Sequence, residues 1–204
     1  VLMKERSLSF TLSSVDRTYD LSGQVAGLPD RPVVDASLSL ESARLESLLV
    51  SGPGPLPPLA VTGELRAHGP ADSVELGGSL LVLGEELSGG LLISGTLEAG
   101  RQSAVLAASV ESPDARYRGV DLPLSADIHA ASDTLVVRDL VVGDFARGSL
   151  GVGLGGGRGL SAGIVVSEAP LADALAVALG PRPRDVEGLV FASVSVRGTR
   201  DDPV

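Results

Sequence analysis

The chain of 204 residues contains no cysteine and no tryptophan, and it has only three phenylalanines and two tyrosines. The absence of cysteine excludes disulfides, thiolate catalysis, iron–sulfur clusters and cysteine-based zinc sites. Because aromatic residues are so few, any core must be built from Leu, Val and Ala. The same scarcity leaves almost no platform on which nucleic acid bases could stack.

Positive charge is also scarce. The 16 basic residues stand against 26 acidic ones, which gives a net charge of -10. A chain of this sign repels the phosphates of nucleic acids, so we expect no nucleic acid partner. Lys4 is the only lysine. A phosphate-binding G-x-x-x-x-G-K-[ST] loop is therefore excluded, and Schiff-base catalysis has no other lysine to use.

Long apolar runs are missing as well. A membrane-spanning helix needs roughly 18 to 20 apolar residues, whereas the apolar runs here, such as residues 80–83 and 189–192, are far shorter. The opening residues 1–7 lack the long apolar segment of a signal peptide. We interpret the sequence as a soluble segment of a longer protein whose membrane anchor or signal lies elsewhere.

The dominant pattern is a strict alternation of apolar and polar residues, which is the period of a β-strand. Leu8, Phe10 and Leu12 alternate with Ser9 and Thr11. The pattern recurs over residues 36–41, 59–68, 91–98 and 122–129. Alternation of this kind predicts antiparallel strands in a sheet with one apolar and one wet face.

Glycine and proline lie mainly between these runs and predict turns roughly every eight to twelve residues. Residues 171–179 break the strand pattern, because Leu171, Ala174, Leu175 and Ala178 follow helical spacing between Pro170 and a Gly-Pro pair. Residues 43–49 show a weaker version of the same pattern. The predicted fold is mostly β, with one or two short helices.

An internal repeat is also predicted. Residues 82–91 align without gaps on residues 141–150, and both read as strand, acidic turn, strand. We interpret the chain as one β-rich repeat array, with units at 1–52, 53–118, 119–180 and 181–204, the last being the start of a further unit.

Two segments of the chain share the same order of apolar, glycine and proline residues. The first contains Leu45-x-x-Leu48-Leu49, a proline-rich turn, and apolar strands at 59–65, 82–84 and 87–97. The second runs from residues 170–175 to 188–199 and closes on a Gly-Thr-x-x-x-Pro phrase at 198–203. This order resembles AsmA-like bacterial envelope proteins and their TamB-like relatives.

The resemblance implies a large protein of Gram-negative-type bacteria, anchored in the inner membrane by an N-terminal helix. Members of that group extend across the periplasm as an elongated, curved β-sheet with an apolar groove. They are implicated in moving phospholipid to the outer membrane, and TamB-like members in assembling outer-membrane proteins. The localisation implied for this chain is the periplasm.

The sequence contains few motifs that would indicate a catalytic or ligand-binding function instead. Residues 151–156 fit G-x-G-x-x-G, but a strand rather than a helix is predicted after them, so a hairpin turn is favoured over dinucleotide binding. His68 and His129, the two histidines, fall on polar strand faces. They are more typical of solvated side chains than of a metal or proton-relay pair.

The remaining motifs are no stronger. The acidic pairs at 85–86 and 201–202 are interpreted as turn charges rather than a glycosidase pair. A Ser-His-Asp triad has no G-x-S-x-G elbow to support it. We therefore expect no enzyme, cofactor or metal.

Two functions remain open. The first is passive shielding of phospholipid acyl chains by the apolar face. The second is a scaffold that helps to assemble outer-membrane proteins by strand addition. Residues expected to line the apolar groove are Leu81, Leu83, Leu91, Ile93, Leu122, Leu124, Ile128, Val194 and Val196. The outward positions are expected at Ser94, Asp127, His129 and Arg197.

Overall fold

A computed structural model describes residues 6–14, 18–28, 30–44, 58–100, 103–153, 159–180, 185–199 and 202–203. Of these residues, 76% lie in strands that form one long, curved antiparallel sheet, and the sheet does not close into a barrel. The predicted fold class is confirmed. No helix in this part of the chain is long and apolar enough to cross a membrane.

The described part of the chain contains fifteen strands and one helix. The first seven strands are β1 (Arg6–Ser13), β2 (Tyr19–Leu28), β3 (Val33–Arg44), β4 (Leu59–Pro70), β5 (Ser73–Gly84), β6 (Leu87–Ala99) and β7 (Ala104–Ser112). The next six are β8 (Arg116–Tyr117), β9 (Val120–Asp121), β10 (Leu124–Ala130), β11 (Thr134–Val142), β12 (Ala146–Gly153) and β13 (Gly159–Pro170). The helix α1 (Leu171–Leu179) and the strands β14 (Leu189–Thr199) and β15 (Asp202–Pro203) follow.

The sheet is a meander in which each long strand pairs with its neighbours in sequence. Its order runs from β1 to β7, then from β10 to β15, with the short hairpin β8–β9 beside the start of β6. Short turns such as Ala71–Asp72 and Glu85–Glu86 join the strands. Such tight connections are what alternating sequences with frequent turns produce, because antiparallel neighbours need only a hairpin between them.

Strand pairing fixes which side chains share a face, since residues directly opposite each other point to the same side. We call one side the apolar face and define it by Leu38, Leu65, Ile93 and Ile128. The register carries this face across the sheet without interruption, for example through the pairs Leu38–Leu65, Ile93–Val110 and Ile128–Val137. The other side, which carries Ser94 and Asp127, is called the opposite face.

Helix α1 lies where the sequence predicts it. Pro170 precedes its first residue, and Gly180, with φ of 109°, follows its last. A positive φ favours glycine, so the helix ends where the sequence supplies one. The weaker helix predicted from residue 43 is wrong for Ala43 and Arg44, which pair with Val61 and Ala60 as the end of β3. Residues 45–49 of that prediction lie outside the described residues.

Three β-bulges of the same form support the repeat-like character of the sheet. The register shifts between Leu40 and Ala43 in β3, between Val137 and Leu140 in β11, and between Val166 and Ala169 in β13. The second bulged residue has a positive φ in each case, 51° at Ser42, 47° at Asp139 and 58° at Glu168. Ala43 and Ala169 are each only 1% exposed. The four unit boundaries given above remain a prediction.

The described residues have two small buried clusters rather than one broad core. The first consists of Leu40, Ala43 and Val61, between β3 and β4. The second consists of Val120, Leu122 and Ala176, where helix α1 meets the segment around β9. Elsewhere the apolar face has no second layer of described residues above it. Most apolar-face side chains in β2–β12 are half-buried, and the exposed large ones on this face lie mainly in β1, β13 and β14, such as Leu8, Leu12, Ile164 and Val194.

Candidate apolar groove

The apolar face carries no charged side chain at any of the paired strand positions from Leu8 in β1 to Gly198 in β14. These positions hold Leu, Val, Ile, Ala and Gly, together with Phe10, Tyr19 and Ser112. Among the described strand residues from Leu8 onward, charged side chains lie on the opposite face, at the bulges or in the short hairpin β8–β9, and helix α1 carries Asp173. The face can therefore contact hydrocarbon along its length without stripping water from any charge.

Seven of the nine residues expected to line a groove lie on this face or pack beneath it. Leu91, Ile93, Leu124, Ile128, Val194 and Val196 are on the apolar face by register. Leu122 lies between β9 and β10 and is buried against helix α1. Ser94, Asp127, His129 and Arg197 are on the opposite face, where they were expected.

The placement of Leu81 and Leu83 on the apolar face was wrong. In β5 the even-numbered positions face that side, because Leu80 pairs with Leu91 and Val82 with Gly89. Leu81 and Leu83 therefore point to the opposite face, where they are 44% and 49% exposed. The cause is the continuous apolar run at 80–83, in which polar residues no longer mark the outward positions.

Helix α1 covers one end of the apolar face and leaves a cavity of about 300 Å³ beneath it. The helix contributes Ala174 and Val177 to the walls. The other lining residues are Leu122, Leu140, Val142, Phe145, Ala146, Arg147, Ile164, Val166, Ala169 and Val190. Because most of these side chains are aliphatic, the cavity offers dispersion contacts and few hydrogen bonds.

The two ends of helix α1 are attached to different parts of the sheet. At its start, the Leu171 N–H donates a hydrogen bond of 2.9 Å to the carbonyl oxygen of Gly188, just before β14. At its end, Arg118 Nη1 donates to the carbonyl oxygens of Val177 at 3.0 Å and Ala178 at 3.3 Å. A cation at a helix C-terminus also interacts favourably with the helix dipole.

Arg118 is itself held by its neighbours. Its Nε atom lies 3.0 Å from Oε1 of Glu86, and its guanidinium carbon lies 5.1 Å from the centre of the Tyr117 ring. The Arg118 backbone N–H donates to the carbonyl oxygen of Glu86 at 2.7 Å. The Glu86 carboxylate beside the guanidinium raises the pKa of Arg118 above its ordinary value. The β8–β9 turn, the β5–β6 turn and helix α1 therefore meet at this one side chain.

The opposite face is polar along much of its length and carries isolated ion pairs. Arg66 donates to the Glu64 carboxylate with its Nε 3.0 Å from Oε1, and this hydrogen bond lowers the pKa of Glu64. Ser109 Oγ donates to Oδ1 of Asp127 at 2.6 Å. Both ends of the Arg66–Glu64 pair are well exposed, and such pairs contribute little to stability because water screens them. This face fits contact with solvent.

The two histidines do not form a site together. His68 in β4 has its Nδ1 atom 4.0 Å from Oδ2 of Asp35, and His129 lies in β10, four strands further along the sheet. Within the described ranges, no three His, Asp or Glu residues are grouped so that they could hold a metal ion. In the G-x-G-x-x-G motif, Gly151 and Gly153 belong to β12, and its last three residues lie outside the described part.

Sequence reasoning missed the residues that attach helix α1. Arg118 and Tyr117 lie in a segment with two strands of only two residues each, too short to show any alternation. Phe145 also went unassigned, although it lies in a turn where an aromatic residue is unusual. The acidic pair at 85–86 was interpreted as solvated turn charges, yet Glu86 is paired with Arg118.

In comparisons with known proteins, no protein-family model, no curated protein and no solved structure matches the chain. The resemblance to AsmA-like and TamB-like proteins therefore rests on the sequence features given above.

Proposed function

We propose that the chain shields phospholipid acyl chains on the apolar face of its sheet while the lipid moves between two membranes of a bacterial envelope. The observation that carries this proposal is the absence of charged side chains from that face across the described strands. An exposed apolar surface of this extent is costly in water and typically marks an interaction site.

The chemistry of the face fits a ligand that slides rather than one that docks. A site for a specific small molecule combines apolar walls with a few convergent polar groups that fix its orientation. The apolar face has almost no such groups, since Tyr19 and Ser112 are its polar residues among the paired positions. An acyl chain needs no directional bonds and gains only from leaving water.

The sequence resemblance supports the same function. It implies an inner-membrane-anchored protein whose sheet crosses the periplasm toward the outer membrane. In that setting the ligand is phospholipid, and no cofactor or catalytic residue is needed. The activity is passive shielding rather than an enzymatic reaction.

A charge introduced on the apolar face tests the proposal. Ile93→Asp and Leu124→Asp each place a carboxylate where acyl chains would pass, and an unpaired carboxylate facing hydrocarbon costs several kcal/mol. We expect each variant to slow the transfer of fluorescent phosphatidylethanolamine between donor and acceptor vesicles by at least about tenfold, because each 1.4 kcal/mol is a factor of ten. Circular dichroism checks that the variants keep the strand signal of the unmodified chain.

Ser94→Asp is the matched control, because Ser94 is adjacent in β6 but lies on the opposite, solvated face. It should transfer lipid at the unmodified rate. Equal rates for Ile93→Asp, Leu124→Asp and the unmodified chain would contradict the proposal.

A second function is favoured by the edges of the sheet. Among the described residues, β1 pairs only with β2, and the outer side of β14 pairs with β15 only at Gly198 and Thr199. Unpaired strand edges are templates for another strand. We propose, as the alternative, that the sheet assists outer-membrane protein assembly by strand addition, and a normal transfer rate in the charged variants would favour this function.

A further inference from the structure

The cavity beneath helix α1 differs from the rest of the apolar face because the helix covers it. Over most of the sheet the apolar side chains have no described layer above them, whereas here Ala174 and Val177 face Ile164 and Val166 across the cavity. This space of about 300 Å³ is half-open to solvent, and its apolar lining lacks the contacts that an apolar occupant would supply.

One small side chain of the helix keeps part of this space open. Ala174 places only a methyl group toward the cavity, whereas the other three alanines of α1 are not part of its lining. A helix selected only to cover the sheet would use larger side chains at the facing positions, because filling such a void adds stability. The helix therefore leaves a space between itself and the sheet.

Both ends of helix α1 are held by hydrogen bonds. The Leu171 N–H bonds to Gly188 on the β14 side, and Arg118 bonds to the carbonyl oxygens of Val177 and Ala178 on the β9 side. Ala176 is fully buried between these attachments, packed with Val120 and Leu122. The helix therefore crosses the apolar face with a half-open space below it.

We infer that the cavity is a holding site for a single aliphatic chain, closed by α1, with Arg118 as the residue that keeps it closed. The lining indicates the ligand class, because eleven of its twelve residues are apolar and only Arg147 is charged, so the space fits a hydrocarbon chain. A methylene group occupies about as much space as water in the liquid, about 30 Å³, so the cavity holds on the order of ten carbons. The inference rests on the proposed function, since it places one step of lipid passage at a defined position.

The ligand site can be located with palmitic acid that carries a terminal diazirine. After irradiation of the full chain with this probe, peptide mass spectrometry identifies the labelled residues. We expect label on both the cavity lining, for example at Ile164 and Val177, and the open apolar face, for example at Leu65. Label on the open face but none in the cavity would overturn this inference and leave the proposed function standing. Absence of label from both would contradict the proposed function itself.

A larger side chain in the cavity should block binding of the probe there without preventing folding of the chain. Ala174→Leu adds a side chain into the space, whereas Ala178→Leu makes the same change at an exposed position of the same helix. We expect Ala174→Leu to abolish the cavity label while the label at Leu65 persists, and Ala178→Leu to change neither. If Ala174→Leu alters the oligomeric state and leaves the label unchanged, the cavity is a contact between protein chains and the inference is wrong.

The role of Arg118 is tested by the rate at which the probe leaves. Arg118→Gln removes the charge-assisted hydrogen bonds to the end of α1, so we expect release at least about tenfold faster. Arg116→Gln is the control, because Arg116 lies in the same hairpin but pairs with Asp121 rather than with α1. Equal release rates in both variants would show that Arg118 does not close the site.

Discussion

At the residue scale, Ser112 is an exception on the apolar face. It is 1% exposed, and its hydroxyl has no hydrogen-bond partner among the described residues. A buried polar group without a partner loses its bonds to water and gains nothing in return. The unpaired hydroxyl of Ser112 therefore lowers the stability of the folded chain.

Replacing this hydroxyl should stabilise the chain. We expect Ser112→Ala to raise the free energy of unfolding by about 1 kcal/mol, because the unpaired group is removed without opening a large cavity. Urea denaturation measures the change. Ser109→Ala, which removes a hydroxyl that donates to Asp127 on the opposite face, should instead lower the free energy of unfolding. A loss of stability in Ser112→Ala would contradict this account of Ser112.

Individual positions were predictable wherever polar residues mark the alternation. Ile93 and Ser94, or Ile128 and His129, could be placed on their faces from the sequence alone, because Ser94 and Thr96 mark the polar positions of β6 and Asp127 and His129 flank Ile128. Leu81 and Leu83 could not, because the run at 80–83 reads the same in either register. The outward placement there depends on the partners of β5, and this is tertiary information.

At the scale of elements, β4 and β5 approach each other closely at a pair of glycines. A Cβ built on Gly63 would lie 2.1 Å from the carbonyl oxygen of Ser79, and one built on Gly78 would lie 2.1 Å from that of Glu64. Gly63 also has a φ of 148°. The two strands can adopt this geometry only because neither position has a side chain.

A methyl group at this contact should therefore destabilise the sheet. We expect Gly78→Ala to lower the free energy of unfolding by about 1 to 3 kcal/mol, since the backbone must move to admit it. Gly163→Ala in β13 is the control, because a Cβ there meets nothing within 4 Å. It should leave stability unchanged or raise it slightly. Similar losses in the two variants, measured by urea denaturation, would contradict the close approach of β4 and β5.

Helix α1 was predictable as an element because Pro170 and Gly180 mark its ends and its apolar spacing is helical. The β8–β9 hairpin was not, because two-residue strands have no period to detect. The attachment of α1 through Arg118 was hidden for the same reason. The contact joins residues about sixty positions apart, and nothing local to either segment indicates the other.

At the scale of the whole molecule, the sheet is long, curved and open, and one of its faces is lined almost entirely by apolar residues. The sequence supports this architecture strongly, since a meander follows from alternating strands joined by short turns. Its openness could not be predicted from the residues alone, because closure into a barrel depends on tilt and strand stagger rather than on alternation. The openness is what leaves the apolar face available to a ligand.

Site-specific crosslinking to lipid is the most direct test of the claim that this face carries acyl chains. A photoreactive benzoylphenylalanine is placed in turn at Leu65, Ile93 and Ile128 on the apolar face, and at the adjacent Arg66, Ser94 and His129 on the opposite face. The full chain is then irradiated with vesicles of radiolabelled phosphatidylethanolamine. We predict lipid adducts at the first three positions and few or none at the second three. Equal labelling of neighbouring positions, or labelling confined to the opposite face, would contradict the account.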